Sequence, residues 1–279
     1  MTAHTPTSTE RPTPKGATRI FTGVITHTEP TMGDSSLITF TAPEHVVQMA
    51  RPGQFVDITV REQGAYDPLL RRPISIYRAD KERAELTILV RPFGRGSRWL
   101  VSQPTGTQLN VLGPLGNAFE IAPKSRNLLM VAGGVGAAPL LMLAEEAITR
   151  GLSVTYLMGA ANESTLLPAA ALRDEIEYVV ATDDGSRGHK GFVTDLVPDY
   201  LQWADQIFTC GPTPMFHSLR NTILAHRSTE RFPNVQVSVE RTMACALGAC
   251  LGCVVETTSG MQTSCVDGPV FDMQKVVWS

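Results

Sequence analysis

Between residue 19 and about residue 119, apolar and polar positions alternate with a period of two, in short runs broken by turns. RIFTGVITHTEP, SSLITFTAP, QFVDITV, AELTILVRP and GTQLNVLGPLG read as strands, and Pro52-Gly53 marks a turn between two of them. Strands this short and this evenly spaced predict a closed antiparallel barrel. SRWLVSQ predicts one short helix within the series. From Asn127 the pattern changes. NLLMVAGG is a nearly unbroken apolar run, as in a parallel strand covered on both faces, and VGAAPLLMLAEEAITRG follows with helical spacing and Gly151 as its stop. SVTYLMGA, EYVVATDDG and QIFTCGP predict further strands, with helices over ALRDEI, VTDLVPDYL and TPMFHSLRNTILAHR. Alternating strand and helix predict a doubly wound parallel sheet. The expected division is a tail over 1–18, a β-barrel domain over 19–122, an α/β domain over 123–232 and a small C-terminal domain over 233–279.

Composition narrows the class without choosing a function. A chain of 279 residues with 43% hydrophobic and 18% charged residues is ordinary globular protein. A net charge of −3 gives no electrostatic reason to expect nucleic acid or an anionic membrane as partner. No apolar run reaches the roughly 18 residues of a membrane-spanning helix. The Thr/Pro-rich start, MTAHTPTSTERPTPKGAT, lacks the apolar core of a secretion signal and reads as a disordered tail, so a cytoplasmic location is expected.

The chemistry concentrates at the C-terminus. Four of the five cysteines, Cys245, Cys250, Cys253 and Cys265, form a C-x4-C-x2-C-x11-C pattern. Plant-type [2Fe–2S] ferredoxins use C-x4-C-x2-C with a later fourth cysteine. Gly248 and Gly252 would let the loop curl its N–H groups toward sulfur. A zinc site is the alternative, although its usual form has two C-x2-4-C knuckles and only one C-x2-C is present. Disulfides are disfavoured in a reducing compartment.

Five further stretches are candidates for contact with a nucleotide. In Arg71-Arg72-Pro73-Ile74-Ser75, arginine suits bidentate phosphate binding and Ser75 can donate to a ring or ribose, unless the stretch is merely a charged strand end. Gly96 and Ser97, in Gly94-Arg95-Gly96-Ser97, are either a phosphate cradle or a turn with an N-cap. Gly133, Gly134 and Gly136, in GGVGAAP, join a strand to a helix where a pyrophosphate can approach the backbone, although Pro139 replaces the third glycine of G-x-G-x-x-G. Cys210 and Gly211, in CGPTPM, lie at a strand's carboxyl end, either beside a nicotinamide or as a buried structural thiol and its neighbour. Asp183-Asp184-Gly185-Ser186 ends another strand and either touches a ribose or is a solvated turn.

Taken together and in this order, RRPIS, GPLGN, GGVGAAP, CGPTPM and M-A-C-x4-C-x2-C followed by CVDGPVF resemble the ferredoxin-NADP reductase superfamily, over about residues 19–279. Within it the pattern resembles the electron-transfer subunits of NAD-dependent (type B) dihydroorotate dehydrogenases. That resemblance implies FAD held by Arg72, Pro73, Ile74 and Ser75, bordered by Leu89, Val90 and Arg91, with its phosphates at Gly96 and Ser97. It implies a [2Fe–2S] cluster on the four cysteines and NADH at the glycine turn. Electrons would pass through FAD and the cluster to a separate FMN-bearing catalytic subunit of pyrimidine biosynthesis, in an α2β2 heterotetramer. Ala246 departs from the glycine that the family more often has after its first cysteine. The same modules also suit the small subunit of another flavin/[2Fe–2S] reductase, of ferredoxin-NADP reductase or sulfide dehydrogenase type. A zinc-stabilised nucleotide-binding regulator is the expectation from a different class.

Overall fold

In the computed structural model, which describes residues 19–226 and 233–278, the alternating runs close on themselves. The strands are β1 (Arg19–Pro30), β2 (Ser36–Thr41), β3 (Phe55–Ile58), β4 (Arg72–Asp80), β5 (Glu85–Val90) and β6 (Gln108–Leu115). They pair in the order β1-β2-β5-β4-β3-β6, and β6 returns to β1, so the antiparallel barrel has no free edge. Ile25, Ile38, Phe40, Val56, Ile58, Ile76 and Ile88 fill its interior. Helix α1 (Glu44–Met49) lies between β2 and β3, and α2 (Arg95–Val101) between β5 and β6. The disordered tail expected over 1–18 lies outside the described residues.

Beyond the barrel, β7 (Asn127–Gly133), β8 (Ser153–Ala160), β9 (Glu177–Thr182), β10 (His189–Lys190), β11 (Gln206–Cys210) and β12 (Asn234–Ser238) form a parallel sheet in the order β10-β9-β8-β7-β11-β12. Successive side chains of β7 point to opposite faces, as strand geometry requires. Leu128, Met130 and Ala132 pack with α3 (Ala137–Thr149), while Leu129 and Val131 pack with α4 (Val197–Tyr200) and α5 (Thr213–His226). The sheet is therefore doubly wound, as the pattern predicts. Helix α3 ends where expected, with Gly151 at φ +70.

One expected helix is absent. ALRDEI shares only Ala171 with a 3-10 turn at Ala169–Ala171 and then runs through turns into β9. The few residues between Pro168 and the strand are too few to offset the cost of nucleating an α-helix. VTDLVPDYL likewise forms only a 3-10 turn at Val193–Asp195 before the four-residue α4.

The cysteine segment leaves and rejoins this sheet. After β12 the chain runs outward through the cysteine loop and makes a hairpin of β13 (Val254–Thr257) and β14 (Gly260–Thr263). It returns as β15 (Val270–Asp272), antiparallel to β12 at the sheet edge. GPLGN meets this return directly. Asn117 donates from its backbone N–H to the Gly268 carbonyl and from Nδ2 to the Asp267 carbonyl, each at 2.6 Å. Gly116 has φ +79, and a Cβ there would sit 2.5 Å from the Pro269 ring. Buried Gln206 holds the linker into the sheet by donating to the Glu120 carbonyl and accepting from the Ala122 N–H and the Ser125 hydroxyl. An Arg78–Glu145 ion pair ties β4 to α3.

Candidate functional site

A cavity of about 630 Å³ opens where the barrel, the sheet and the cysteine segment meet, within the roughly 300–1,000 Å³ typical of cofactor sites. From β4 it receives Arg72, Pro73, Ile74 and Ser75, and from β5 and the turn after it Leu89, Val90, Arg91 and Phe93. Ser97 enters from α2, Val135 from the glycine turn and Ala138 from the start of α3. Seven of the sequence-predicted residues of the barrel site, together with Ser97, thus face one space. Gly96 does not line it. A Cβ there would meet Val60 at 2.6 Å and Arg72 Nε at 3.1 Å, so Gly96 lets α2 press against the Arg72 side chain.

The donors suit a phosphate-bearing ligand. Arg72 spends Nη1 on the Leu70 and Arg71 carbonyls, at 2.8 and 3.0 Å. Among the described residues, Nη2 and Nε have no hydrogen-bond partner, which leaves the planar fork to a ligand. The Ser97 hydroxyl is engaged with both the N–H and the carbonyl of Gly94, closing the turn before α2.

At the carboxyl edge of the sheet, the GGVG turn and CGP pack backbone to backbone. A Cβ on Gly136 would lie 2.3 Å from the Cys210 carbonyl oxygen, and one on Gly133 would meet Pro212 and Met215 below 3 Å. Gly134, at φ +55, faces open space. No side chain caps the N-terminus of the 13-residue α3, and the turn sits where open α/β sheets receive their ligands. Gly211 packs under Met215. Cys210 is buried below this edge, outside the cavity lining, and burial pushes its thiol far up, with the nearby Glu240 carboxylate adding to the effect.

Sequence reasoning missed Glu240, which enters the cavity with Arg241, Thr242 and Met243 on the segment leaving β12. The surrounding protein desolvates its carboxyl, which raises its pKa. No motif marks it. Its position follows only from the way the chain leaves the sheet.

The four clustered cysteines come together as two pairs, Cys245 with Cys250 and Cys253 with Cys265. Among the described residues no three His, Cys, Asp or Glu side chains converge on a single ion. Two thiolate pairs suit a two-iron group better than one tetrahedral zinc. N–H groups surround the sulfurs: Leu247 and Cys250 donate to Cys245 at 3.4 Å, Gly248 to Cys265 at 3.2 Å and Gly252 to Cys250 at 3.4 Å. At Cys245, desolvation works upward but these donors outweigh it and bring the thiol to about 7. At Cys265, burial and the Cys253 sulfur push it up to about 12. Asp267 holds the turn beneath Cys265 by accepting from the Thr263 N–H and hydroxyl. Ala246 takes φ +54, in the left-handed region, with its methyl buried.

Cys253 and Cys265 rest on an apolar seat made by Phe55, Leu112, Leu115, Met243 and Ala246. Phe55 and Met243 also line the cavity, so the two sites share a wall.

Asp57 lies two residues along β3 from Phe55 and is only 2% exposed, with Oδ1 lacking any hydrogen-bond partner. Burial raises its carboxyl to about 6, against the opposing pull of Arg71 and Arg72. The ionised form is thus disfavoured by folding. The resulting penalty is absent below about pH 4, grows as pH rises, and is complete above about pH 6, where it reaches about 2–3 kcal/mol. Asp57→Asn should stabilise the chain by that order at pH 8 and leave it nearly unchanged at pH 4. Denaturant melts at the two pH values measure this, and an equal gain at both would show that the charge is not the cause.

Comparison with known proteins places these features in a common setting. Residues 240–277 match the family model for the iron–sulfur cluster binding domain of dihydroorotate dehydrogenase B. The electron transfer subunit of dihydroorotate dehydrogenase B (NAD(+)) from Desulforamulus reducens is 38% identical over 246 residues, covering 86% of this chain and 91% of that protein. Its counterpart from Bacillus caldolyticus is 39% identical over 240 residues, covering 83% and 89%. The solved structure of an NADH-dependent reduced ferredoxin-NADP oxidoreductase superposes with TM-score 0.79 at 29% identity, over 92% of this chain and 90% of that one. Phthalate dioxygenase reductase shares the fold, with TM-score 0.63 at 19% identity over 88% and 77%. Among the described residues no helix is long and apolar enough to cross a membrane.

Proposed function

Because the chain belongs to the family of electron transfer subunits of NAD(+)-linked dihydroorotate dehydrogenase B, we propose that it carries electrons between NADH and a separate catalytic subunit that oxidises dihydroorotate. The observation that carries this reading is the shared wall. Phe55 and Met243 touch both the cavity and the seat of Cys253 and Cys265, so two redox groups would sit on opposite sides of two side chains. When bound, FAD exchanges a hydride with NADH and single electrons with a [2Fe–2S] centre.

The residues have distinct tasks. Arg72 and Ser97 hold the FAD phosphates, with Gly96 allowing α2 to approach. Pro73, Ile74, Ser75, Leu89, Val90 and Arg91 surround its ring system. Gly133, Gly134 and Gly136 receive the NADH pyrophosphate over the uncapped end of α3, and Cys210 and Gly211 form the floor beside the nicotinamide. Cys245 and Cys250 ligate one iron, and Cys253 and Cys265 the other. We take residues 19–122, 123–232 and 233–279 as the three functional units, the last sharing β12 and β15 with the sheet. Five free cysteines fit a reducing cytoplasm.

NADH is favoured over NADPH by charge. Asp183 and Asp184 are exposed at the carboxyl end of β9, and the Ser186 hydroxyl and N–H keep the Asp184 carboxyl below the usual range. A ribose hydroxyl can bond to this rim, whereas a 2′-phosphate is repelled.

The test is reconstitution with FAD, iron and sulfide, followed by mixing with an FMN-bearing dihydroorotate dehydrogenase subunit. Dihydroorotate should then reduce NAD+ only when both subunits are present, light scattering should give a 2:2 assembly, and NADP+ should be used poorly. Asp184→Ala should narrow the cofactor preference by roughly tenfold. Electron exchange with a ferredoxin or with a sulfide dehydrogenase partner, and none with the dihydroorotate subunit, would overturn the assignment.

A further inference from the structure

A buried carboxyl stands in the wall between the cavity and the cysteine seat. Directly paired residues of antiparallel strands carry their side chains on one face. Asp57 on β3 pairs with Pro73 of β4, which lines the cavity, and with Leu112 of β6, which belongs to the seat of Cys253 and Cys265. The next row on that face is Ser75, Phe55 and Leu115, and Phe55 touches both sites. Asp57 is thus one strand away from each site.

The carboxyl is also left without a partner. Arg71 spends Nη1 on the carbonyls of Asp57 and Asn110, at 3.1 and 3.0 Å, and Nη2 on the Asn110 side chain. Arg72 turns Nη1 to the Leu70 and Arg71 carbonyls. Among the described residues the Asp57 Oδ1 accepts no hydrogen bond, although the residue is almost fully buried. An acid left this way weakens the fold at neutral pH, and native proteins keep few such groups away from the sites that use them.

We propose that the Asp57 charge sets the driving force for electron exchange across the wall, holding the redox groups at low potential while ionised and releasing them when it takes a proton. The inference rests on the proposal that the cavity holds FAD and the four cysteines a [2Fe–2S] cluster. Among apolar side chains a charge acts over several ångströms with little screening. A carboxylate there disfavours an arriving electron, and by reciprocity the electron favours protonation of the carboxylate. Asp57 takes one proton from solvent as the electron arrives, the carboxylate becoming the neutral acid, and returns it when the electron moves on. It forms no bond to either redox group.

The sign and the window follow from the surroundings. The charged groups facing Asp57 are Arg72, at the start of β4, and Arg71 just before it. Asn110 and Leu112 of β6 and Phe55 of β3 do not titrate. Beyond Leu112 lie Cys253 and Cys265, thiolates for as long as they ligate iron. Arginine stays charged throughout the range, so the carboxyl supplies the change. Burial brings it to about 6. Below that pH it is neutral and without effect, and above it the negative charge lowers the potentials.

The experiment uses the full chain reconstituted with FAD, iron and sulfide, and reads the midpoint potential of the cluster at pH 5 and pH 8 from its visible and electron paramagnetic resonance signals. The cluster is the better reporter because its one-electron reduction needs no proton of its own, unlike reduction of the flavin. The wild-type potential should be lower at pH 8 than at pH 5. Asp57→Asn should match wild type at pH 5 and lie above it at pH 8 by roughly a tenfold change in the equilibrium constant, about 59 mV for one electron. Asp57→Ser should do the same. Glu240, the other acid at the cavity, is common to all three proteins and cancels from the comparison.

If the wild-type chain takes up no flavin or no iron, the cofactor reading fails and the inference falls with it. If both are bound and wild type and Asp57→Asn share one potential at pH 8, the cofactor reading stands and the role of Asp57 is refuted. Loss of flavin or iron from both variants, with the wild type full, would make Asp57 a structural support and equally overturn the inference.

Discussion

Cys253→Ser should reduce bound iron from about two per chain to nearly none, while flavin content stays at the wild-type level. Cys253 is buried on the seat formed by Phe55, Leu112, Leu115 and Met243. A serine hydroxyl there resists ionisation and is a poor ligand for iron in a sulfur-bound cluster. It would also bury a polar group among apolar neighbours, so the metal-free chain loses stability as well, by about 1–3 kcal/mol. Arg72, Ser75 and Ser97, the residues proposed to hold FAD, line the cavity on the other side of the shared wall. NADH should therefore still bleach the flavin absorbance, and electron exchange with the catalytic subunit should cease. Iron and flavin assays on one sample, with its visible spectrum, measure all three effects. Full iron occupancy in the variant would remove Cys253 from the ligand set.

The second large effect is expected at Gly136. A Cβ there would stand 2.3 Å from the Cys210 carbonyl oxygen, 2.5 Å from its carbon and 2.8 Å from the Gly211 nitrogen. All three are backbone atoms of a central sheet strand and the turn that follows it, so no side-chain rotation relieves the clash. Gly136→Ala must push the start of α3 away from β11, at a cost of about 3 kcal/mol or more, and NADH binding should be lost with it. Gly134→Ala is the control. That residue has φ +55 but open space around its Cβ, so the change costs only about 1 kcal/mol of left-handed strain. Denaturant melts and NADH titrations of the two variants separate close packing from backbone conformation. Equal effects at both positions would refute the packing argument.

The pattern of the chain revealed what local periodicity controls. The alternating runs of the barrel, the apolar β7 and the helical spacing of α3 follow from which faces are covered, and each is legible in a few residues. ALRDEI was not legible, because its helical composition is outweighed by the short span between Pro168 and β9. Asp57 shows a different limit. In QFVDITV it occupies the alternate position that normally faces water, yet it is almost inaccessible, beside Arg71 and Arg72 of the barrel itself. Glu240 was unreadable too, since its place in the cavity depends on where the chain leaves β12 rather than on its neighbours. The cysteine spacing pointed to four ligands and a two-iron group. The pairing of sulfurs and the wall shared through Phe55 and Met243 required the fold.

The return of the chain through β15 has a kinetic consequence. A carrier on a hinged module must swing between donor and acceptor, and solvent viscosity slows it. Here the cysteine segment is pinned at both ends, by β12 and β15 in one sheet, and clasped by Asn117 from the barrel. Its separation from the cavity is set by strand pairing and not by a diffusive search. Transfer inside the chain is therefore indifferent to viscosity, which leaves encounter with NADH and release to the partner as the steps that crowding can slow.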